Sequence, residues 1–419
     1  MKFQAPRGTE DVLPDRSRHW QWAESEFRAV AKIFNYAEIR TPTFEDTSLF
    51  LRMGEGTDVV SKEMYTFADK GGRSITLKPE GTAGAVRAYI EGNLGGQGQI
   101  TKLFYITPIF RYERPQKGRL RESHQTGFEL IGSSQPDADA EIIEATVRFY
   151  ERLGLTGLVV KVNSLGNDEC RAAYRNALLE FATALLRDMS NEEARAKYER
   201  NPLRMLDSKD EEIQAALRGA PKLSQFLESD SQEHFDAVRS RLDALEVAYE
   251  VDERLVRGLD YYTRTVFEVH SSALGAQSAL CGGGRYDNLI EECGGAPTPA
   301  VGVAMGIERA LMAAESAGSL PSNATPPEVF AVCLTEKRNE FAKIVAELRS
   351  AGISVDTDLE FRSAKSQFRQ ADKCGARIAL TIGDDELAAG TAKAKRLSDG
   401  SEHEAALNGI AQPIRALLE

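Results

Sequence analysis

The sequence predicts an α+β domain built on a mostly antiparallel sheet and broken by a helical insertion, followed by a small α/β domain. Three observations carry the prediction. Two β-type runs, "LFYITPIFRYE" and "HQTGFELIG", flank the charged segment "RPQKGRLR" as the arms of a long antiparallel hairpin. Residues from about 168 to 244 turn polar and rich in Ala, Glu and Arg, the composition of helices set into a sheet domain. Beyond the Pro-containing "LPSNATPPE", β-type and helical runs alternate at the spacing of an α/β unit. The boundaries expected are 1–325 for the first domain and 326–419 for the second.

Each element has its own reason. Trp20, Ala23, Phe27, Val30, Ala31 and Phe34 recur at helical spacing, with Asp15 or Ser17 as the expected cap. "YAEIRTPTFEDTSLF" predicts a strand interrupted at Pro42 and then a helical turn. Short β-type runs follow at 74–77, 103–113, 126–131 and 158–163. In the insertion, Ser190 and Glu193 stand at capping-box spacing. "VFEVHS" resumes the sheet, and "GVAMGIERALMAAE" closes the domain with a helix. The second domain reads as strand "VFAVCL", a helix with Phe341, Ile344, Val345 and Leu348, strand "ISVDTD", a helix, strands "RIALTIG" and "TAKAKRL", and a final helix.

Composition narrows the chemistry. With 42% hydrophobic and 28% charged residues, 419 residues can bury the cores of two or three domains. No apolar run approaches the roughly 20 residues of a membrane span, and "MKFQAPRGTEDVLPD" lacks a signal peptide's apolar centre, so a cytoplasmic protein with no membrane partner is expected. The five cysteines are scattered with no C-x-x-C pair, and the five histidines form no i,i+4 ligand pair. No protein-held metal is expected.

Against a net charge of -12, the stretch "FRYERPQKGRLRESHQTGFELIG" (110–132) sets Arg111, Arg114, Lys117, Arg119 and Arg121 close together, offset by Glu113. Such a local basic cluster in an acidic chain usually has something negative to hold, and the candidates are phosphates, RNA or simply solvent. No G-x-x-x-x-G-K-[ST] loop is present, so phosphate would be held by guanidinium groups, which bind it bidentately. Arg111, Arg257 in "RGLDYYTRTVFE" and Arg309 in "GIERAL" lie on three separate elements that could converge. Taken singly, each is equally a solvated arginine, "GGGRYD" (282–287) a turn, Tyr261 and Tyr262 strand aromatics, and Glu80 in "LKPEGTAG" a partner for Lys78.

Together these residues carry a resemblance. "FRYERPQKGRLRESHQ" resembles the second signature of the class II aminoacyl-tRNA synthetases and "GVAMGIERAL" the third, while "EIRTPTFED" occupies the place of the first. "RGLDYYTRTVFE" and "LCGGGRYDNLI" resemble the two signatures peculiar to histidyl-tRNA synthetase, and the resemblance runs from "PRGTEDVLP" into the C-terminal domain.

That resemblance implies attachment of histidine to its tRNA through a histidyl-adenylate, with release of AMP and pyrophosphate. It implies that Arg111 and Arg257 are catalytic, holding the α-phosphate and the substrate carboxylate, Arg257 standing where a metal could. Arg119 and Arg309 would grip the γ-phosphate, Mg²⁺ would bridge the phosphate tail, and Glu113 would face adenine. Glu80, Thr82 and Gln125 match ammonium-side positions of the histidine site. Glu129 and Tyr262 match its imidazole contacts, with Tyr261, Tyr286, Arg111 and Arg257 completing the lining. Arg114, Gln116 and Lys117 would meet the tRNA acceptor stem, and Arg362, Lys365, Gln367 and Arg369 would contact RNA in the anticodon-binding domain. A homodimer is implied by the first signature.

One position departs from the family pattern. Where "R-x-F-H-Q" usually supplies a ring under adenine, this chain has Ser123, a loss worth about 1–3 kcal/mol of stacking. Two other readings compete: the synthetase-like regulatory subunit of a histidine-biosynthetic phosphoribosyltransferase, and a catalytically inactive RNA-binding module. The first lacks the C-terminal domain that is present here, and Ser123 alone favours the second.

Overall fold

The structure, a computed structural model, describes residues 3–52, 57, 59–114, 120–206, 208, 210–321 and 326–419. It divides into two compact units, Met1–Pro321 and Ser322–Glu419.

In the first unit the strands are β1 (Ala37–Glu38), β2 (Phe44–Asp46), β3 (Tyr65–Ala68), β4 (Ser74–Leu77), β5 (Thr101–Phe110), β6 (Glu122–Ile131), β7 (Leu158–Ser164), β8 (Tyr249–Val251), β9 (Thr263–Ser271), β10 (Ala279–Arg285) and β11 (Ala300–Gly306). Eight of them form one sheet in the order β1-β5-β6-β11-β10-β9-β7-β8, while β2-β4-β3 form a small separate sheet. In the large sheet β1 runs parallel to β5 and β8 parallel to β7; the other pairings are antiparallel. The hairpin is β5 paired with β6 along their whole length, from Thr101 opposite Ile131 to Phe110 opposite Glu122.

Strand alternation decides what each face holds. On β6, Phe128 and Leu130 join Phe27, Phe104 and Phe149 in a core under the helices Pro14–Ile33, Pro136–Arg152 and Ile307–Ala317. Glu129 and Ile131 point the other way, toward a second cluster that includes Tyr261, Tyr262 and Tyr286. Residues of the insertion, between helix Asp168–Phe181 and helix Ser229–Ala244, pack into that second cluster through Tyr174, Leu178 and Leu186. One face is therefore a sealed core, and the other is where polar groups are brought together.

Several local expectations change. The first helix starts at Pro14 with no side-chain cap, so Asp15 and Ser17 lie within its first turn; proline suits the first helical position because its φ is already fixed and its missing N–H would have no partner within the helix. In the insertion the cap is Asn191, whose Oδ1 accepts from Ala194 N at 3.0 Å, and not Ser190. "GGGRYD" is not a turn: its glycines lie within β10, between β9 and β11.

Arg285, at the end of β10, and Asp139 have no exposed surface and form an ion pair. Arg285 also donates to the carbonyls of Ser133 at 2.8 Å and Gln135 at 3.1 Å, so its fork is fully used in joining β10 to the helix Pro136–Arg152. Burial raises the Asp139 carboxyl, but Arg285 and His234 together outweigh it and hold the group at about 2.

The second unit has β12 (Val329–Leu334), β13 (Val355–Thr357), β14 (Ile378–Gly383), β15 (Thr391–Arg396) and β16 (Glu402–Ala406) in the order β13-β12-β14-β15-β16. The first three are parallel and the last two antiparallel. β16 was absent from the sequence reading because "EHEAA" has almost no apolar side chain; it forms an edge strand that buries only Ala405.

Asp139→Ala should destabilise the first unit by about 3–5 kcal/mol, because it takes the buried partner from Arg285 and leaves that buried charge only the partly exposed Asp287, 3.2 Å away. Trp20 and Trp22 both lie in the first helix, so urea unfolding followed by tryptophan fluorescence reads this unit. The Asp139 carboxyl lies below its unfolded value near 3.9, so its contribution is complete above about pH 4 and is lost as pH falls toward 2. An unchanged urea midpoint in the variant would contradict this role.

Candidate active site

The polar face of the sheet is organised around Glu129, which has no exposed surface. Thr82 Oγ1 donates to Glu129 Oε1 at 2.7 Å, and the Tyr286 hydroxyl donates to Oε2. Burial pushes the carboxyl up to about 8, although both hydroxyls favour its charged form. On the neighbouring strand, Gly302 is the residue opposite Glu129, and a Cβ there would lie 1.8 Å from Oε2. The glycine of "AVGVAMG" is therefore the space the carboxylate occupies.

Thr82 opens the helix Thr82–Glu91, and Glu80 lies just before its N-cap, Gly81. The Glu80 oxygens accept from Thr82 N at 2.8 Å and Ala83 N at 2.7 Å, so a buried carboxylate sits on the positive end of the helix. Burial still raises its pKa, and the Arg111 charge acts to lower it. Lys78 is not its partner: its Nζ donates to Thr41 O and Oγ1, each at 3.3 Å. Gln125 Oε1 accepts from Gly81 N at 2.9 Å, which joins β6 to the loop that carries Glu80.

Two arginines reach the same region from different elements. Arg111, just past β5, donates from Nε to the Pro79 carbonyl at 2.7 Å, and its Nη1 lies 3.9 Å from Glu113 Oε1. Arg257 comes from the segment before β9, pairs with Glu268 and lies 6.0 Å from the Tyr262 ring centroid. A Cβ at Gly282 would fall 2.1 Å from Arg257 Cζ, so the glycine run of β10 is the groove in which this guanidinium lies. Tyr262 stacks on Tyr261 at 4.6 Å, and Tyr261 meets Tyr286 edge-on at 5.8 Å. Arg309, in the first turn of Ile307–Ala317, donates to the Ala279 carbonyl at the start of β10.

Some contributors escaped sequence reasoning. Glu268 and His270 on β9 form a chain behind Arg257, with His270 Nε2 3.1 Å from Glu268 Oε2 and Nδ1 2.8 Å from Ser278 Oγ. Their i,i+2 spacing on a strand was the available signal, since it puts both on one face. His124 N donates to Glu308 Oε1 at 2.8 Å, tying β6 to the residue beside Arg309. The Arg121 guanidinium lies 3.8 Å from the Tyr112 ring centroid, a cation–π contact at the base of the hairpin loop. Ser123 is half-buried on β6 opposite Ile109.

At the hairpin tip, Arg114 is exposed, while Gln116, Lys117 and Arg119 lie outside the described residues. In the second unit Arg362, Lys365 and Arg369 are exposed. Arg362 and Arg369 line a cleft of about 540 Å³ with Ser366, Gln370 and Lys373. Arg362 pairs with Asp358, Nε to Oδ2 at 2.8 Å. Gln367 faces inward and is 1% exposed. Its amide bonds both the N–H and the C=O of Cys333, at 2.8 and 2.9 Å, which leaves it no side to present to RNA.

A mostly antiparallel sheet with arginines from its hairpin and from the helix that follows β11, and a separate α/β unit next in the chain, defines a class II aminoacyl-tRNA synthetase. The comparisons agree: the histidyl-tRNA synthetase family model matches residues 8–310, and an anticodon binding domain model matches 328–417. The chain belongs to the histidyl-tRNA synthetase family. It is 44% identical to the histidine–tRNA ligase of Acetivibrio thermocellus over 417 residues, 99% of this chain and 100% of the relative. The apo histidyl-tRNA synthetase of S. aureus superposes with a TM-score of 0.83 at 34% identity, covering 100% of both chains. A structure described as an ATP phosphoribosyltransferase regulatory subunit/histidyl-tRNA synthetase from Bacillus halodurans shares the fold, with a TM-score of 0.66 at 20% identity and 91% of this chain covered.

Proposed function

We propose that the polar face around Glu129, Glu80, Arg111 and Arg257 is where this chain activates histidine and passes it to tRNA. As a member of its family, the chain uses ATP to charge tRNA with histidine. The observation that carries the site assignment is a buried carboxylate held by two hydroxyls beside a second carboxylate, with arginines on either side. The regulatory-subunit reading is the weaker one, because an anticodon-binding domain follows the catalytic one and the full-length relatives are ligases.

In this reading Glu129 accepts an imidazole N–H of the substrate and so fixes its tautomer, with Tyr262, Tyr261 and Tyr286 forming the walls. Glu80 takes the ammonium, helped by Thr82 and Gln125. A site that pairs both polar ends rejects amino acids lacking an imidazole by about 10⁴–10⁵, which apolar fit alone does not reach.

Activation brings a carboxylate oxygen onto the α-phosphorus of ATP and expels pyrophosphate. Two anions must approach, so the requirement is fixed positive charge at the point of attack. Arg111 and Arg257 are the groups assigned to it. Glu268 and His270 behind Arg257 keep its guanidinium in place, so little reorganisation is needed when charge develops. ATP enters as its Mg²⁺ complex, Arg309 and Arg119 take the outer phosphates, and Glu113 faces adenine, where Ser123 offers no ring. The adenylate then yields histidine to the terminal ribose of tRNA, with Arg114, Gln116 and Lys117 at the acceptor stem and Arg362, Lys365 and Arg369 along the second unit. Gln367 braces the turn that presents them.

The domain bounds proposed are 1–325 and 326–419, with the insertion at about 168–244. A homodimer is supported by the small β2-β4-β3 sheet, on which Phe44 and Phe67 are 52% and 47% exposed. A cytoplasmic location accords with the substrate; among the described residues no helix is long and apolar enough to cross a membrane.

Arg257→Ala should lower the rate of adenylate formation by about 10²–10³-fold while histidine binding stays measurable, the loss expected for a charge used mainly in the transition state. Gly282→Ala should act in the same direction by displacing the same guanidinium, at about 100-fold. Single-turnover adenylate formation reads both, and wild-type rates in either variant would remove Arg257 from the reaction.

The Glu129 carboxyl of the empty site stands at about 8, so at pH 7 it is mostly protonated, and an imidazole N–H donated to it favours the ionised form. Histidine binding at pH 7 should therefore release a proton, and affinity should rise as pH goes from 6 to 8. Calorimetry in buffers of different ionisation enthalpy measures this. Glu129→Gln should abolish the release and weaken binding about tenfold or more; equal proton release in the variant would contradict the assignment.

A further inference from the structure

Between the helix Asp168–Phe181 of the insertion and the segment leading into β9 lies a cleft of about 380 Å³. Arg171, Arg175, Arg204 and Arg257 line it against Asp168 and Asp260, four guanidinium groups facing two carboxylates. Part of this charge is already used. Arg171 pairs with Asp168 and donates to the Tyr262 carbonyl; Arg204 donates to the Gly258 carbonyl at 2.7 Å and lies 3.5 Å from Asp260 Oδ1.

Arg175 is different. It stands one helical turn after Arg171, on the same face. Among the described residues it makes no ion pair, and its Nε is shut off from solvent with no hydrogen-bond partner. Arg257 Nε is likewise buried without a hydrogen-bond partner, although the side chain pairs with Glu268. A native fold rarely leaves a buried donor unsatisfied, and here the two side chains that carry such donors line a single cleft. An oxyanion in the cleft would pair with the Arg175 guanidinium, which no carboxylate offsets among the described residues, whereas Arg257 already pairs with Glu268.

We propose that this cleft is a phosphate-binding site distinct from the ATP-facing arginines, with Arg175 as its principal donor. The inference rests on the functional reading above, since it takes Arg257 as the wall shared with the reaction centre. A phosphate can come from two sources: the backbone of the RNA 3′ end, which must reach the activated carboxyl beside Arg257, or a phosphate species in solution such as pyrophosphate. The RNA fits better, because the acceptor end brings one phosphate per nucleotide toward that wall.

Arg175→Gln and Arg175→Lys separate the sources, and neither removes an ion pair from the fold. Two quantities are compared with the unaltered chain: the KM for tRNA in histidine attachment at several salt concentrations, and the KM for pyrophosphate in histidine-dependent exchange without RNA. If RNA fills the cleft, Arg175→Gln raises the KM for tRNA by roughly tenfold and lowers the salt slope by about 1. Exchange is then unaltered, and Arg175→Lys recovers most of the loss. If a free anion fills it, the KM for pyrophosphate rises instead and that for tRNA does not. No change in either quantity for Arg175→Gln overturns the site. Absence of histidine-dependent exchange in the unaltered chain overturns the functional reading itself, a failure visible before any variant is made.

Discussion

A carboxylate with no exposed surface must be held by hydrogen bonds or give up its charge, and Glu129 sits at that balance. Its place depends on the register of β6 against β11, which puts Gly302 opposite it, and on the helix start that brings the Thr82 hydroxyl within 2.7 Å. A one-residue slip of β6 would send Glu129 into the core with Phe27 and Phe149 and bring Phe128 into the pocket. The hydrophobic face of the sheet therefore fixes the polar one: the apolar residues Phe128 and Leu130 set the position of the acid between them.

The arginines follow the same logic at larger scale. Arg111, Arg257 and Arg309 come from the end of a hairpin strand, an irregular segment and a helix, and each is anchored before any substrate arrives: to Pro79, to Glu268 and to Ala279. Arg257 is the most elaborately held, with a glycine strand beneath it, a carboxylate at its side and a histidine behind that carboxylate. Fixed charges of this kind do not need to reorganise as the reaction proceeds, which is where most of their advantage over water lies. The Arg285–Asp139 pair does a different job with the same chemistry: it joins β10 to a helix and so steadies the strand over which Arg257 lies.

Much of this was legible in the sequence, for reasons that differ from element to element. The β5–β6 hairpin was visible because two long alternating runs flank a charged loop, and the first helix because its apolar residues repeat at helical spacing. "GGGRYD" was ambiguous, since glycines suggest a turn; only the structure shows that their missing side chains make room for Arg257 and for neighbouring backbone. β16 was invisible because an edge strand with one buried alanine has no apolar alternation to read. Among candidate site residues, those in dense motifs could be named from the sequence, while Glu268 and His270 could not, because their partner, Arg257, is remote from the face they share until the strand is formed. Gln367 was misjudged for a physical reason: a polar residue among basic ones reads as surface, yet its amide is satisfied inside the fold.

The central claim is that one pocket selects histidine and joins it to AMP. It is tested most directly by exchange of labelled pyrophosphate into ATP in the presence of Mg²⁺, with each standard amino acid in turn. Exchange with histidine alone is the predicted result, and it would also show that Ser123 is compatible with ATP binding. Absence of exchange from a folded chain, or equal exchange with an amino acid that has no imidazole, would contradict the account.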